Sequence, residues 1–324
     1  MKTIYLDNNA TTRVAPEVLE VMLPYFHELY GNPSSMHSFG GQVGRDLSVA
    51  REQVAALLGA SPDEIIFTSC GSESDNAAIR SALASQPGKR HIVTSRVEHP
   101  AVKALCAQLT TEGFRVTELP VDAEGRLDMD LYRKSLTPDT AIVSLMWANN
   151  ETGVIFPIEK AAEFARSRGI VFHTDAVQAV GKIPIDLSKT AIDMLSISGH
   201  KLHAPKGIGI LYVRKGTRFS AFLIGGHQEK GRRGGTENTP GIIGLGKACE
   251  LAAQNLETGT IKPGMRETMD VIKQNADAAA QGNPDAISRI NDTLNKNGFK
   301  NMNDFADKIG GHIESLKWSR PKGG

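Results

Sequence analysis

The chain has 324 residues, 40% of them hydrophobic, and its 37 lysines and arginines nearly balance its 36 aspartates and glutamates. A net charge of +1 gives no electrostatic reason to expect nucleic acid or an anionic membrane as a partner. No apolar run approaches the roughly 20 residues of a membrane-spanning helix, and the first residues lack a secretory signal pattern. Three widely spaced cysteines, Cys70, Cys106 and Cys249, argue against a disulfide framework. We therefore expect a cytoplasmic protein.

Short apolar segments alternate with helical patterns from about residue 47 to residue 255. The strand candidates are 65–68, 92–94, 141–146, 170–173, 194–197 and 208–213. Most are largely apolar and end at polar or glycine residues, as strands buried on both faces do. Segments 102–109 and 158–165 instead repeat apolar residues at the spacing of one helix face. This alternation predicts an α/β fold, a mostly parallel sheet with helices on both faces.

The last part of the chain has a different composition. Beyond about residue 256 it is polar and rich in Asn, Asp and Lys, with two or three short amphipathic helix candidates broken by Gly-Asn-Pro and Asn-Gly. We divide the chain into an N-terminal segment 1–14, a large domain 15–255 and a short, mainly helical segment 256–324.

Polar residues gather just after the predicted strands, where open α/β sheets bind ligands. Gly71 permits a tight turn after strand 65–68, and Ser72, Ser74 and Asp75 can cap the helix that follows. Free backbone N–H groups at a helix N-terminus form a phosphate cradle. The structural alternative is an ordinary helix cap.

Further polar residues follow the next strands, and each has an ordinary structural explanation too. Asp175 follows a buried-type strand, where a carboxylate is costly unless it pairs with a cation or ligand or caps a helix. His99 has a ring that can stack on an aromatic ligand or cap the helix that begins at Pro100. Asn149 and Asn150 can donate amide hydrogen bonds to a ligand or belong to a turn.

The segment SISGHKLHAPKG adds Ser198, His200 and Lys201 between two strand candidates. Together, the strand ends then offer a phosphate cradle, an aryl stacker, an amide donor, a carboxylate and a lysine. Pyridoxal phosphate (PLP) needs this set, because its aldehyde takes an amine and its ring nitrogen takes a carboxylate. We predict that Lys201 is the covalent anchor of PLP. His200 and His203 flank Lys201 without a zinc pattern, so no metal site is predicted.

Other segments carry weaker site signals. GGHQEKGRRGGTEN is glycine-rich and basic but lacks the Lys-Ser/Thr ending of a P-loop. Cys106 lies on the apolar face of a helix candidate, so it is predicted to pack in the core, and Cys249 is expected to pack too. No base can be assigned to Cys70, which favours a packing role over a nucleophilic one.

Several ordered blocks of the sequence resemble one enzyme family. The blocks are YLDNNATTRV, GNPSSMHSFG, FTSCGSESDN, VEHPAV, MWANNETG, HTDAVQAVGKIPIDL, SGHKLHAPKG and GGHQEKGRRGGTENTPGI. They resemble the cysteine desulfurases, most closely the NifS type, in the class V branch of the fold-type I PLP enzymes. The resemblance covers residues 1 to about 255, and it implies the fold-type I large domain for 15–255.

The resemblance also implies roles for individual residues. Lys201 corresponds to the lysine that bonds to the cofactor and moves the α-proton of the substrate, and His99 to the residue that stacks on the ring. Thr236 corresponds to a residue that reaches the phosphate in the neighbouring subunit. The implied cofactor-binding set is Gly71, Ser72, His99, Asn150, Asp175, Gln178, Ser198, His200, Lys201 and Thr236. Within it Asp175 pairs with the ring nitrogen, and the family usually has Thr where Ser72 stands.

The family reaction converts L-cysteine to L-alanine and leaves a persulfide on an enzyme cysteine. The resemblance therefore implies PLP as cofactor, L-cysteine as substrate, a homodimer with shared sites, and an iron–sulfur scaffold protein as sulfur acceptor. In the NifS type the sulfur serves nitrogenase assembly. Neither nucleic acid nor a membrane is implied as a partner.

The sequence departs from the family pattern after residue 255. No cysteine follows Cys249, no SSGSAC-like loop occurs, and neither Arg289 nor Arg320 lies in a matching motif. A truncated, frame-shifted or recombined gene would explain the difference. We expect a protein that binds PLP but has very little desulfurase activity. The alternatives are a non-catalytic PLP-binding remnant and another class V lyase or aminotransferase, for example one acting on selenocysteine.

Overall fold

The computed structural model describes residues 5, 7–257, 271, 275, 278, 279, 281–298 and 300. The chain divides into two compact units, one of residues 13–253 and one of residues 1–12 together with 254–324. The first unit holds the whole sheet described below. The domain limits drawn from the sequence stay predictions.

A seven-stranded sheet forms the centre of the first unit. Its strands are Ile65–Thr68 (β1), His91–Ser95 (β2), Arg115–Leu119 (β3), Thr140–Ser144 (β4), Val171–Asp175 (β5), Met194–Ser198 (β6) and Gly209–Val213 (β7). Their order is β1-β7-β6-β5-β4-β2-β3. β7 is antiparallel to both of its neighbours, whereas β2 to β6 pair in parallel. β1 therefore runs in the same direction as the parallel strands.

Helices of the first unit connect its strands and cover its sheet. The described helices are Pro16–Met22 (α1), Pro24–His27 (α2), Ser38–Leu58 (α3), Gly71–Ala84 (α4), Pro100–Thr111 (α5), Met129–Ser135 (α6), Ile158–Ser167 (α7), Thr239–Glu257 (α8) and Pro284–Lys296 (α9). β2, β4, β6 and β7 are buried at every position. Because successive side chains alternate between the two faces of a sheet, burial at every position means that both faces are covered.

The structure confirms the predicted α/β class and all six predicted strand locations. The helix patterns at 102–109 and 158–165 form α5 and α7, and their apolar faces are buried. The sequence interpretation missed β3. This strand lies at the edge of the sheet, and only Leu119 among its residues is buried, so it lacks the apolar run used to identify the others.

In the second unit, α9 is one of the amphipathic helices predicted after residue 256. Asn283 caps it by accepting hydrogen bonds from the N–H groups of Asp285 and Ala286 at 3.0 and 3.2 Å. Buried Ala286, Ile290 and Leu294 follow at the spacing of one helix face. The other helix candidates of this segment lie mostly outside the described residues.

Candidate functional site

The carboxyl ends of β1, β2, β4, β5 and β6 lie at one edge of the sheet, here called the carboxyl edge. The predicted site residues that follow these ends are Gly71, Ser72, His99, Asn150, Asp175, Gln178, Ser198, His200 and Lys201. β7 runs the other way, so it begins at this edge and ends at the opposite one, the amino edge. The order of the strands thus brings residues from distant parts of the sequence to one edge.

Asp175 ends β5, and only 7% of it is exposed. Its Oδ1 accepts a hydrogen bond from the Val177 N–H at 2.9 Å. Burial raises the pKa of this carboxyl group, while the Val177 hydrogen bond and the nearby His99 and Lys201 oppose the rise. A carboxylate in such a place is stabilised by a cationic partner, which fits the protonated ring nitrogen of PLP.

Lys201 is the last residue of a 3₁₀ turn, Gly199–Lys201, between β6 and β7. The Gly199 N–H donates to the Ile208 carbonyl at 2.9 Å, which closes the loop at its base. A Cβ atom at Gly199 would lie 2.7 Å from Ile208 Cγ2, so a side chain there would displace the turn. The amine of Lys201 is therefore carried by a fixed segment, and its charge acts on Asp175.

His99 lies close enough to His200 to help lower the pKa of His200. His99 is the N-cap of α5, and its Nδ1 accepts the Ala101 N–H at 3.2 Å, so the structural role considered for it is present. Its ring remains exposed at the carboxyl edge. Burial lowers the pKa of His200, and the nearby Lys201 and Lys206 lower it further. His200 is thus a neutral donor at neutral pH.

The start of α4 forms the predicted phosphate cradle. A Cβ atom at Gly71 would lie 3.1 Å from Val177 Cγ2 and 3.4 Å from Ser198 Cβ. The absence of a side chain at Gly71 therefore lets Val177 and Ser198 pack closely against the first turn of α4. First-turn N–H groups have no intrahelical acceptor and attract anions. These residues fit the phosphate group of PLP.

The predicted capping of α4 by Ser72, Ser74 or Asp75 is wrong. The N-cap is Cys70, which makes no side-chain capping hydrogen bond, and the helix already includes all three residues. The Ser74 hydroxyl contacts Thr68 Oγ1 at 2.7 Å and the Cys70 carbonyl at 3.2 Å. The helix begins at Gly71, so these side chains lie inside it rather than ahead of it.

Two buried carboxyl groups beneath the site were not recognised as such from the sequence. Asp75 is 1% exposed, and its Oδ1 has no hydrogen-bond partner among the described residues. Glu98 is 4% exposed and accepts from Ser95 Oγ at 2.6 Å and from the Met146 N–H at 3.0 Å. Burial raises the pKa of Glu98 to about 8 and raises that of Asp75 well above its usual value. The sequence signal for Glu98 is its position directly before His99, a predicted site residue.

His173 links two strands behind Asp175. Its Nδ1 lies 2.9 Å from Ser144 Oγ and its Nε2 lies 2.9 Å from Ser196 Oγ. The same Nε2 is 3.6 Å from Asp75 Oδ1. Burial lowers the pKa of His173 to about 3, so the imidazole is neutral and fixes the strand that carries Asp175.

The remaining predicted residues occupy different surroundings. Asn149 is buried and its Oδ1 accepts from the N–H groups of Glu151 and Thr152, which is turn chemistry. Asn150 donates from Nδ2 to Glu151 Oε1 at 2.7 Å. Gln178 Oε1 accepts from Lys182 Nζ.

Thr236 is the predicted site residue that does not follow a strand end. It is exposed in the loop between the 3₁₀ turn Gln228–Gly231 and α8. A residue that serves a neighbouring subunit needs this exposure, and its role stays a prediction.

The three cysteines differ in their surroundings. Cys106 and Cys249 are buried, as predicted, and burial raises the pKa of each thiol to about 12. Cys70 is half-buried at the start of α4. Two of the thiols therefore cannot form thiolates near neutral pH.

The described residues contain neither a metal-ligand cluster nor a membrane-spanning helix. No group of three or more His, Cys, Asp or Glu residues there is arranged to hold a metal ion. Within the same residues, every helix is too short or too polar to cross a membrane.

Comparisons with known proteins identify the family of the chain. Residues 4–283 match the family model for aminotransferase class-V. The chain is 58% identical over 301 residues to a cysteine desulfurase of Trichormus azollae, covering 93% of this chain and 75% of the relative. It is 56% identical over 299 residues to the cysteine desulfurase NifS of Azotobacter vinelandii, covering 91% of this chain and 74% of the relative.

Solved structures give the same result. A NifS-like protein superposes with a TM-score of 0.80 at 40% identity, over 87% of this chain and 76% of that one. A structure described as SspA in complex with cysteine has a TM-score of 0.75 at 42% identity, over 76% and 72% of the two chains. The chain therefore belongs to the class-V aminotransferase family of PLP-dependent enzymes and, within it, to the cysteine desulfurases.

Proposed function

We propose that this protein is a PLP-dependent cysteine desulfurase that converts L-cysteine to L-alanine and passes the sulfur to a thiol. The proposal rests on one observation: Asp175, His99 and Lys201 lie near one another at the carboxyl edge, where α4 also starts. The relatives named above are cysteine desulfurases by description.

Different residues of the site would bind different parts of the cofactor. The first turn of α4, with Gly71 and Ser72, would hold the phosphate together with Ser198 and His200. Asp175 would pair with the ring nitrogen, and His99 would stack on the ring. The other assigned contacts are those of Gln178 and Asn150 with the ring hydroxyl, and of Thr236 with the phosphate in a second subunit of a homodimer. When bound, PLP supplies an electron sink for negative charge on the substrate α-carbon.

Lys201 supplies the amine that anchors the cofactor. Once the substrate amine has replaced it, the same Nζ accepts the proton of the α-carbon. Burial of Asp175 and Glu98 makes the surroundings poorly solvated, which strengthens the attraction between Asp175 and a cationic partner. Neutral His200 can donate to the phosphate without adding a charge that competes with Lys201.

The sulfur step needs a thiolate acceptor. The C–S bond of cysteine breaks, the sulfur bonds to the acceptor as a persulfide, and the remaining carbon takes a proton to give alanine. Cys106 and Cys249 are unsuitable acceptors because both thiols are buried and protonated. Cys70 is half-buried at the N-cap of α4, and no base is assigned to it. We therefore expect slow sulfur transfer by this chain alone and faster transfer to an added thiol. An iron–sulfur scaffold protein in the cytoplasm is the proposed physiological destination.

Purified protein incubated with L-cysteine tests the proposal. We expect a visible absorbance band from bound PLP and slow alanine release. The rate of alanine release should increase about 10-fold when dithiothreitol supplies an accessible thiol. No cofactor band would contradict the PLP assignment. A cofactor band without alanine, even with added thiol, would support a non-catalytic PLP-binding protein. Turnover at ordinary desulfurase rates without thiol would contradict the expected acceptor limitation.

A further inference from the structure

Glu73, in the first turn of α4, forms an ion pair with Arg233 that lies beside the proposed phosphate cradle. Arg233 Nε is 2.8 Å from Glu73 Oε1, and Nη2 is 3.1 Å from Oε2. The two side chains are only 20% and 12% exposed. Glu73 Oε2 also accepts the Ser69 N–H at 2.7 Å, so this carboxylate shapes the turn that leads into α4.

Glu73 is ionised in this setting. Burial by itself would raise its pKa, but the hydrogen bonds from Arg233 and Ser69 lower it below the usual value for Glu. The residue therefore places a full negative charge at the end of the helix that would bind the phosphate. Two anions there repel each other unless a cation lies between or beside them.

The loop that carries Arg233 has a fixed shape. The backbones of Gly225 and Gly234 cross so closely that a Cβ atom at Gly234 would lie 2.5 Å from Gly225 Cα. The Gly234 N–H donates to the Leu223 carbonyl at 2.9 Å. Gln228 Oε1 accepts the Gly235 N–H at 3.2 Å. Arg233 thus extends from a segment whose conformation does not depend on Glu73 alone.

A second ion pair fixes the same loop to the sheet. Arg51 donates to both carboxylate oxygens of Glu229, at 2.7 and 2.8 Å, and Glu229 also accepts the Phe67 N–H at 3.1 Å. Glu229 has a positive φ of 49°, which is unfavourable for a residue other than glycine. Its buried contacts hold it there. The loop would therefore stay in place if the Arg233 pair were lost.

We propose that Arg233 is a positioning residue of the phosphate site, which neutralises Glu73 so that the first turn of α4 can accept the cofactor phosphate. The inference rests on the proposed function, because it concerns the phosphate of PLP. Glu73 shapes the entrance of α4 through Ser69, and Arg233 cancels the electrostatic cost of using a carboxylate for that purpose. Arg233 lies three residues before Thr236, the residue proposed to reach the phosphate in a neighbouring subunit.

Cofactor titrations of Arg233→Gln, Glu73→Gln and the double variant test the proposal. Stripped protein is titrated with PLP and, separately, with pyridoxal, which lacks the phosphate. Arg233→Gln should weaken PLP binding about 10-fold or more, the scale of one unneutralised charge in a partly buried site. The double variant should recover most of this loss, because it removes the negative charge as well. Pyridoxal affinity should be nearly the same in all four proteins.

Arg80→Gln is the matched control. Arg80 lies on the same helix and forms an equally close pair with Glu112, at 2.7 and 2.8 Å, away from the cradle. Its loss should leave PLP affinity unchanged. The melting temperature of every variant shows whether an effect on binding merely reports unfolding.

The outcomes separate the two proposals. If the unsubstituted protein binds neither PLP nor pyridoxal, the proposed function fails. If it binds PLP but Arg233→Gln does not weaken binding, the role of Arg233 is wrong. The role is also wrong if the double variant binds PLP as weakly as Arg233→Gln, or if pyridoxal affinity falls in parallel.

Discussion

Asp175 and Asp193 are two poorly solvated carboxyl groups at opposite edges of the sheet, and burial raises the pKa of both. Asp193 precedes β6 at the amino edge and accepts the Phe172 N–H at 2.8 Å and Thr217 Oγ1 at 3.5 Å. Asp175 accepts the Val177 N–H and faces the ring of His99 and the amine of Lys201. Burial alone therefore does not distinguish a site from a structural contact. Cations oppose the rise at both groups, Arg166 and Arg214 at Asp193 and His99 and Lys201 at Asp175. What distinguishes Asp175 is its position at the carboxyl edge beside Lys201.

Other buried polar side chains also differ in hydrogen bonding between the two edges of the sheet. At the amino edge, His91 is bonded through both ring nitrogens, to Thr140 Oγ1 at 2.8 Å and Thr117 Oγ1 at 2.9 Å. Near the carboxyl edge, buried oxygens of four residues have no hydrogen-bond partner among the described residues: Asp75, Thr94, Glu98 and Thr174. Buried polar atoms are nearly always paired, so these unpaired oxygens set the four residues apart from His91.

Substitution of Lys201 should have the largest effect. Lys201→Ala removes the anchoring amine, so we expect loss of the visible cofactor band and a fall in alanine formation of about 1,000-fold or more. Lys215→Ala is the control, because Lys215 is exposed just past the other end of β7. Equal losses in the two variants, measured by absorbance and alanine assay, would contradict the distinction between the edges.

Asp175 and Asp193 should respond differently to the same substitution. Asp175→Asn removes the charge assigned to the ring nitrogen, and alanine formation should fall about 100-fold with little loss of folding stability. Asp193→Asn should leave turnover unchanged and lower the free energy of unfolding by about 1 kcal/mol. Steady-state assays and urea titrations of both variants measure the contrast, which a reversed pattern would refute.

The smallest expected effect is the contribution of Glu98 to the pH dependence of folding stability. Its pKa is raised from the usual 4.5 to about 8 by burial, so the folded state keeps a proton that the unfolded state has lost. Glu98 therefore makes stability fall as pH rises from about 4.5 to 8, and the contribution levels off above 8. Glu98→Gln removes the titrating group and with it this pH dependence of stability. Relative to the unsubstituted protein, the variant should gain stability between pH 5 and pH 8 in urea titrations. A pH-independent difference would show that Glu98 is ionised in the fold.

The sequence predicted those parts of the fold that depend on local patterns. Six strands have apolar runs, and α5 and α7 have one apolar face. Edge strand β3 lacks such a run, and its position depends on pairing with β2. Burial of Asp75 is not visible locally, because an Asp near a helix start usually caps it, and the local signal for Glu98 is only its position before His99. The placement of Gly71, Asp175 and Lys201 at one edge was predictable because strand ends converge in any parallel sheet.

The pairing of β1 with β7 sets the order in which the cofactor site can be completed during synthesis. β1 lies at the sheet edge, and its described strand neighbour is β7, with Ile65 opposite Tyr212 and Thr68 opposite Gly209. The cradle after β1 leaves the ribosome early, yet it cannot be fixed beside Lys201 until β7 has emerged. A nascent chain that ends before Val213 therefore lacks this strand pairing, and the proposed cofactor site is completed only after most of the first unit has been synthesised.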